Sequence, residues 1–258
     1  MSLYNATPAD GVAWVTGASS GIGYAVALQL CQDGYTVIAT ARSEDKLEQL
    51  VKEAAGLKGK IIAKAADVTS YSDMKDIVTQ IADEYQNLAL VILNAGIYIP
   101  VHVDKLDISD FQKTFDVNLT GVVNGLLPAI EQMKTRGRGQ IALVSSVTGY
   151  GGLPTSAAYG ATKAAVINMA ESLKFDLDKL NIRIQVINPG FVKTAATDQN
   201  DFKMPAIIPA EEAAKRISVG LAQDKFELTF PKRFTYFLKF INLLPYRLYF
   251  ALVGRTSK

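Results

Sequence analysis

Short apolar runs alternate with longer amphipathic segments along most of the chain. The runs are rich in Val, Ile and Leu and are apolar nearly throughout, a pattern typical of parallel strands covered on both faces. This pattern predicts strands over residues 12–16, 36–40, 60–64, 88–93, 140–145 and 182–187, with a seventh near 226–230.

The segments between these runs have the spacing of amphipathic helices. They predict helices over residues 22–32, 43–55, 73–85, 111–134, 155–180 and 210–222. Local signals support some of the helix ends. Ser109 followed by Gln112 fits a capping box ahead of the fourth helix, and Gly34 fits the end of the first.

Repeated strand–helix–strand units imply right-handed crossovers and a doubly wound sheet. The fold class predicted is therefore α/β, a seven-stranded parallel sheet of the Rossmann type with helices on both faces and a C-terminal helical extension. No linker or break in composition divides the chain before residue 228. We expect residues 1–258 to form a single domain, with residues 229–258 as a basic, aromatic extension.

Composition narrows the classes of function. The chain has 258 residues, 49% of them hydrophobic and 20% charged, with a net charge of +2, so no global field calls for nucleic acid. Cys31 and His102 are the only residues of their types, which argues against a disulfide, a metal centre and a Ser-His-Asp triad. With no secretory signal at its start, the protein is expected in the cytoplasm.

A glycine-rich turn follows the first predicted strand and opens the first predicted helix. Gly17, Gly21 and Gly23 let the backbone turn sharply and approach a pyrophosphate, which then lies on the helix N-terminus. This context predicts a dinucleotide site, and the glycine spacing differs from the common G-x-G-x-x-G. The intervening residues expected at the same site are Ser19, Ser20 and Ile22.

The residues after the second strand predict which dinucleotide binds. A carboxylate there would bind the adenosine ribose and repel a 2′-phosphate, but the chain has Arg42 and Ser43 instead. A guanidinium suits a phosphate dianion, so NADP(H) is favoured over NAD(H). The alternative is that Arg42 is a solvated residue at a helix start. Asp67, followed by Val68, ends the third strand, where an acid can accept from the adenine amino group or simply form a turn.

Tyr159 and Lys163 lie four residues apart on one predicted helix and therefore project from the same face. A free tyrosine has a pKa near 10, and a neighbouring ammonium is expected to lower it. Ser146 ends a predicted strand at the edge where open α/β sheets place their sites. Ser145 is its rival, because side chains alternate along a strand and only one of the two faces the site.

These motifs, in this order and spacing, resemble the classical short-chain dehydrogenases/reductases over nearly the whole chain, from residue 12 to about residue 230. The resemblance implies that Tyr159 is the acid/base, that Lys163 binds the nicotinamide ribose, that Ser146 polarises the substrate carbonyl and that Asn118 holds a water in a proton relay. It also implies cofactor contacts from Asn94, Ala95, Gly96, Pro189, Gly190, Val192 and Thr194.

The expected activity is hydride transfer between NADP(H) and a small carbonyl or alcohol substrate, lipophilic in character. Two alternatives stay open: an NAD-dependent alcohol dehydrogenase and a non-catalytic dinucleotide sensor with the same fold. The resemblance further implies a homodimer or homotetramer. Residues 195–208 are expected to cover the substrate, with Phe202, Met204, Ile207 and Ile208 as an apolar lining.

The C-terminal extension departs from this family pattern. Residues 229–258 contain six basic residues, no acid and eight aromatic residues. We predict helices over residues 233–243 and 246–253, with a polar stripe formed by Lys232, Thr235, Lys239 and Asn242. Three interpretations compete: the extension packs on its own domain or closes over the pocket, forms a dimer contact, or makes a peripheral membrane contact.

Overall fold

The computed structural model describes residues 3–85, 87–195, 197 and 204–254. The predicted lining residue Phe202 and the basic residues Arg255 and Lys258 lie outside these ranges. The strands of the described residues are β1 (Val12–Thr16), β2 (Thr36–Ala41), β3 (Lys60–Ala65), β4 (Leu88–Leu93), β5 (Gly139–Val144), β6 (Ile182–Pro189), β7 (Val192–Lys193), β8 (Ile208–Pro209) and β9 (Glu227–Phe230).

Seven of these strands form one parallel sheet in the order β3-β2-β1-β4-β5-β6-β9, while β7 and β8 pair separately. The helices of the described residues are α1 (Gly21–Asp33), α2 (Glu44–Glu53), α3 (Tyr71–Tyr85), α4 (Ile108–Phe115), α5 (Gly121–Arg136), α6 (Ala157–Leu177), α7 (Ala210–Leu221), α8 (Lys232–Asn242) and α9 (Tyr246–Val253). The predicted seven-stranded, doubly wound fold is confirmed.

Two apolar cores lie on opposite faces of the sheet, because successive side chains of a strand point to opposite sides. In β1, Ala13 and Val15 pack into the core beneath α1, α2 and α7. Val12 and Trp14 pack into the core beneath α3, α5 and α6. Helices therefore cover both faces, which explains why most strand positions are apolar.

The predicted capping box at Ser109 is wrong. Helix α4 begins at Ile108, and the Asp107 carboxylate caps it by accepting from the Ser109 backbone N–H at 2.8 Å. Asp107 is as good a cap as serine and lies nearer the true helix start. The predicted helix over residues 111–134 is also interrupted, because a π-helical turn spans Asp116–Thr120 between α4 and α5.

The strand order reverses between β1 and β4, so the connections leave these neighbouring strands toward opposite faces of the sheet. In open α/β sheets such a switch point leaves a crevice beyond the carboxyl ends of the strands. The segments that follow β1, β2, β3, β4, β5 and β6 converge on this crevice.

The C-terminal extension folds as the two predicted helices, within one residue of the expected ends. Helix α9 packs on the segment after β5, where the Tyr249 hydroxyl donates to the Gly152 carbonyl oxygen at 2.7 Å. Ile241, Tyr249 and Val253 form a small apolar cluster with Leu153. Among the described residues, no helix combines the length and the apolar composition needed to cross a bilayer.

Candidate active site

A cavity of about 360 Å³ lies beyond the carboxyl ends of the strands. Nearly all of the predicted site residues line it. They are Gly17, Ser19, Ser20, Gly21, Ile22, Arg42, Asp67, Val68, Asn94, Ala95, Gly96, Ser146, Tyr159, Lys163, Pro189, Gly190, Val192 and Thr194. Three others, Gly23, Ser43 and Asn118, are not part of the cavity wall.

The glycine turn between β1 and α1 has the backbone that the sequence predicts. Gly17 and Gly21 have φ angles of 67° and 58°, the left-handed region that favours glycine. A β-carbon at Gly17 would lie 2.7 Å from the Ala95 Cα, and one at Gly23 would lie 2.4 Å from the Asn94 Nδ2. Gly23 therefore serves the close packing of α1 on the turn, while Gly21 brings the N-terminus of α1 to the cavity.

Asn94, at the end of β4, holds this turn in place. Its backbone N–H donates to the Thr16 Oγ1 at 3.0 Å, and its side-chain amide donates to the Thr16 carbonyl oxygen at 3.1 Å. The Ala95 N–H donates to the same Thr16 hydroxyl at 3.2 Å. The Asn94-Ala95-Gly96 segment thus ties two adjacent strand ends together behind the cavity.

Arg42 lies at the rim of the cavity and is 68% exposed, with its guanidinium 3.8 Å from the Asp67 carboxylate. The other carboxylate oxygen of Asp67 accepts from the N–H and the hydroxyl of Thr69, both at 2.9 Å. Of the two roles expected for Asp67, the structure shows the turn, and Asp67 also lines the cavity. Ser43 precedes α2 and makes no capping bond with its side chain.

The two serines after β5 have different partners. The Ser145 hydroxyl donates to the Lys163 carbonyl oxygen at 2.8 Å and so fixes α6 against the strand end. The Ser146 hydroxyl accepts from the Thr148 N–H at 3.2 Å and interacts with the Tyr159 phenol. Both residues line the cavity, but only the hydroxyl of Ser146 is directed to Tyr159.

Tyr159 projects from the first turn of α6 and is partly buried. Its ring makes an edge contact with the Tyr98 ring, with the ring centres 5.3 Å apart. Burial raises the pKa of Tyr159 to about 12, the hydrogen bond with Ser146 opposes this shift, and the proximity of Tyr98 adds to it. The expected lowering of the phenol pKa is therefore wrong for the protein in this state.

Lys163 explains why the expected lowering does not occur. Its ammonium donates to the Val144 carbonyl oxygen at 2.9 Å and lies 5.4 Å from the centre of the Tyr159 ring. Only 3% of Lys163 is exposed, and burial lowers its pKa to about 8. Desolvation is the largest cause of both pKa shifts, and it favours the neutral form of each group.

Asn118 lies in the π-helical turn between α4 and α5 and is fully buried. Its side-chain oxygen accepts from the Ile97 N–H at 2.7 Å, and its amide donates to the Ile97 carbonyl oxygen at 2.8 Å. A β-carbon at Gly96 would lie 3.3 Å from the Asn118 Oδ1 and 3.5 Å from the Lys163 Nζ. Asn118 therefore lies directly behind the cavity wall, next to Lys163, and fixes the segment after β4.

The segment after β6 forms the opposite wall. The Gly190 N–H donates to the Phe230 carbonyl oxygen at 2.8 Å, and the Thr194 N–H donates to the Thr197 hydroxyl at 2.9 Å. Phe234 of α8 packs on this segment, since a β-carbon at Gly190 would lie 3.0 Å from its ring. The C-terminal extension thus supports one side of the cavity.

Sequence reasoning missed several residues of the wall. Tyr98 is the most notable, because its ring contacts Tyr159 and its hydroxyl bonds to the Thr155 hydroxyl at 2.9 Å. The sequence signal that could have identified Tyr98 is its position two residues after Gly96. The other unpredicted lining residues are Ala41, Ala66, Ile97, Val117 and Val144. Ser145, the expected rival of Ser146, also lines the cavity. From the segment 195–208, Ala195 and Thr197 line it, whereas Met204, Ile207 and Ile208 are not part of its wall.

Comparison with known proteins agrees with this geometry. The family model described as short chain dehydrogenase matches residues 11–204. The chain is 36% identical over 209 residues to the 3-oxoacyl-(acyl-carrier-protein) reductase FabG of Thermotoga maritima, covering 81% of this chain and 83% of that protein. It is 33% identical over 243 residues to an uncharacterized oxidoreductase of Myxococcus xanthus, covering 94% of this chain and 96% of the relative.

A solved structure gives the same result for the fold. The crystal structure of a variant actinorhodin polyketide ketoreductase with NADPH superposes on this chain with a TM-score of 0.77. The two sequences are 25% identical, and the match covers 87% of this chain and 97% of the ketoreductase.

Proposed function

We propose, since the chain belongs to the short-chain dehydrogenase family, that it transfers a hydride between NADP(H) and a carbonyl or alcohol substrate. Membership of that family makes it an oxidoreductase of C=O and CH–OH groups. The observation that carries the proposal is that Tyr159, Ser146 and Lys163 line the same cavity as the glycine turn. We assign the whole chain to a single catalytic domain.

The residues of the cavity fit a nicotinamide dinucleotide. The turn at Gly17 and Gly21 lacks side chains where a pyrophosphate approaches, and the N-terminus of α1 supplies free backbone N–H groups there. When bound, the cofactor supplies the hydride, while the protein supplies orientation and proton handling. Asn94, Ala95 and Gly96 form the wall behind it, and Pro189, Gly190, Val192 and Thr194 form the wall on the other side.

The choice of NADP(H) rests on Arg42. The residue directly after β2 is Arg42 instead of a carboxylate, and its exposed guanidinium at the cavity rim suits a 2′-phosphate. Asp67 lies 3.8 Å away and would hold the guanidinium at the rim, while Val68 would contact the adenine. Ser43, beside Arg42 at the start of α2, has a side chain without a capping bond and is assigned to the same phosphate.

Tyr159 is the acid in reduction and the base in oxidation. Its raised pKa keeps the phenol protonated at neutral pH, which is the form that donates a proton to the oxygen of a reduced carbonyl. The Ser146 hydroxyl, directed to Tyr159, would hold and polarise the same substrate oxygen.

Lys163 and Asn118 complete the proton-handling unit. With a pKa of about 8, Lys163 is mostly an ammonium at neutral pH, and its two remaining N–H bonds are available to the nicotinamide ribose. In the π-helical turn the Gly121 N–H bonds to the Asp116 carbonyl oxygen, five residues back. Such a turn replaces the usual backbone hydrogen bonds to the carbonyl four residues back in the region of Asn118. This irregularity supports a role for Asn118 in a proton relay through water.

The substrate is assigned as a small, uncharged and lipophilic carbonyl compound. The charged residues among the described lining are Arg42, Asp67 and Lys163, and each is assigned to the cofactor. The substrate side has Ile97 and Tyr98 instead. A wall of this kind offers no cation to a carboxylate or phosphate on the substrate.

One observation favours the NAD-dependent alternative. The guanidinium of Arg42 already has a carboxylate neighbour in Asp67, and the first turn of α2 carries Glu44 and Asp45. The negative charges of these acids would repel a 2′-phosphate bound beside Arg42. Binding of the two cofactors decides between the alternatives.

We further propose that the protein acts in the cytoplasm as a homodimer or homotetramer. Cys31 is free and buried, which suits a reducing compartment. Leu106, Ile108, Phe115 and Leu127 expose apolar surface on and around α4 and α5, which suits contact with a second copy. Light scattering of the purified chain tests this, and a monomer at micromolar concentration would contradict it.

The test of the function is fluorescence titration with NADPH and NADH, followed by a panel of lipophilic ketones and aldehydes with the tighter cofactor. We expect NADPH to bind more tightly and to be oxidised in the presence of at least one carbonyl compound. Tighter binding of NADH would contradict the use of Arg42. Binding of NADPH without any turnover across the panel would favour a dinucleotide sensor.

A further inference from the structure

Helices α8 and α9 expose a set of large apolar side chains, which we call the aromatic face. It is formed by Tyr236, Phe237, Phe240, Leu243, Tyr246 and Phe250. Phe240 is 61% exposed and Tyr246 is 80% exposed, although both belong to well-formed helices. Exposed apolar groups clustered in this way mark an interaction surface.

The polar residues of α8 explain why the aromatic face points outward. Thr235 is fully buried, and the Lys239 ammonium pairs with the Glu227 carboxylate and lies 5.0 Å from the centre of the Tyr150 ring. Glu227 also accepts from the Asn188 side-chain amide at 2.7 Å. Thr235 and Lys239 thus face the protein while large aromatic side chains of the same helix face outward, which is the reverse of an ordinary surface helix.

The charges that the extension itself carries are of one sign. Lys232, Arg233 and Arg247 are exposed on α8 and α9, and residues 229–258 contain no acid. A two-fold contact between copies would place this surface against itself, so that cations would meet cations without a compensating carboxylate from the extension. A surface of anionic lipid headgroups supplies the opposite charge, and the layer beneath them accepts aromatic side chains.

We propose that the aromatic face docks on the surface of a bilayer that contains anionic lipids, with α8 and α9 lying in its interfacial region. The exposed cations bind the headgroups, and the aromatic side chains enter the layer beneath. The extension also lies behind one wall of the cavity, because Phe234 packs on Gly190, which lines it. Docking would bring the cavity close to lipid, which suits a lipophilic substrate; this last step rests on the proposed function.

Flotation with lipid vesicles tests the docking, using the full chain without substrate. Vesicles of phosphatidylcholine alone are compared with vesicles in which a third of the lipid is phosphatidylglycerol. We expect binding to the anionic vesicles only, weakened as salt is added. Arg233→Gln should weaken binding about fivefold, since each cation near such a surface contributes about 1 kcal/mol.

The aromatic side chains are tested by the double variant Phe237→Ser/Phe240→Ser, which should weaken binding at least tenfold. Phe175→Ser is the matched control, since Phe175 is 75% exposed on α6, and it should bind as the wild type does. Thermal unfolding and NADPH binding are measured for every variant to establish that it is folded. Tyr159→Phe should bind vesicles unchanged, so a failure of the proposed chemistry leaves the docking test intact.

Two outcomes would overturn the proposal. One is the absence of wild-type binding to anionic vesicles. The other is an oligomer in solution that Phe237→Ser/Phe240→Ser dissociates, because the aromatic face would then belong to a second copy of the chain.

Discussion

The Lys163 ammonium lies 5.4 Å from the centre of the Tyr159 ring, yet the pKa of the Tyr159 phenol is raised to about 12. Burial acts on both residues, because it favours the neutral form of each: the phenol keeps its proton more tightly, and the pKa of Lys163 falls to about 8. Burial therefore shifts both groups toward their neutral forms, and the phenol that we propose as the acid carries its proton at neutral pH.

Replacing Tyr159 with Phe should abolish most of the catalysis while preserving cofactor binding. A positioned acid contributes roughly 10²- to 10⁴-fold to rate, so we expect carbonyl reduction to fall by that range. Steady-state rates with the best substrate of the panel measure the loss. Tyr71→Phe, a change at an exposed residue of α3, is the control and should keep full activity. Unchanged rates for Tyr159→Phe would show that another group donates the proton.

Lys163 should make stability depend on pH. Its folded pKa of about 8 lies below the ordinary value of 10.5, so between these values the unfolded chain binds the extra proton and stability rises with pH. We expect the wild type to gain up to about 3 kcal/mol relative to Lys163→Met across that window. Urea unfolding at several pH values measures the difference. Lys179→Met, at an exposed site, should show the same pH dependence of stability as the wild type. If the stability difference between the wild type and Lys163→Met did not change with pH, the burial argument would be refuted.

Arg42→Gln should change the cofactor preference. Losing charge-assisted hydrogen bonds to a 2′-phosphate should cost about 1.5–3 kcal/mol, or roughly tenfold to hundredfold in NADPH affinity, with NADH affinity nearly unchanged. Fluorescence titration with each cofactor gives the two constants. Lys52→Gln, in the last turn of α2, controls for a general loss of positive charge. An equal loss for both cofactors would assign Arg42 to something other than the phosphate.

Lys239→Met should destabilise the C-terminal extension. Burial tends to raise the pKa of Glu227, but hydrogen bonds from Lys239, Tyr150 and Asn188 hold it below its ordinary value. Without Lys239 the carboxylate keeps only neutral partners, at a cost of about 1–3 kcal/mol. Denaturant unfolding measures the free energy of unfolding of each variant. Lys232→Met, at an exposed position, is the control. Adding Glu227→Gln to Lys239→Met should recover part of the lost stability. No loss would mean that the ion pair does not fix α8.

The strands of the main sheet could be predicted closely, because the apolar pattern that identifies each strand lies within the strand itself. Each parallel strand is covered on both faces, so Leu88–Leu93 is apolar at every position and stands out from the flanking sequence. The helix start at Asp107 could not be separated from Ser109 by pattern, since both are good caps and only the hydrogen bond distinguishes them. The π-helical turn at Asn118 likewise has no signature in hydrophobic periodicity.

The candidate site shows the same division. The glycine turn, the spacing of Tyr159 and Lys163 and the serines after β5 follow from local sequence. The contact between Tyr98 and Tyr159 could not be predicted in this way, because it forms only when the segment after β4 is folded against α6.

The sequence by itself determined the order of the elements, most of the cavity wall and the face shared by Tyr159 and Lys163, because helical and strand periodicities and turn motifs act over a few residues. Only the tertiary structure decided the direction of the Tyr159 pKa, the different partners of Ser145 and Ser146 and the side of α8 that faces the protein. These depend on burial and on contacts between different elements, such as Lys239 of α8 with Glu227 of β9. At Tyr159 and Lys163, desolvation sets the direction of both pKa shifts, and the extent of burial follows only from the folded chain.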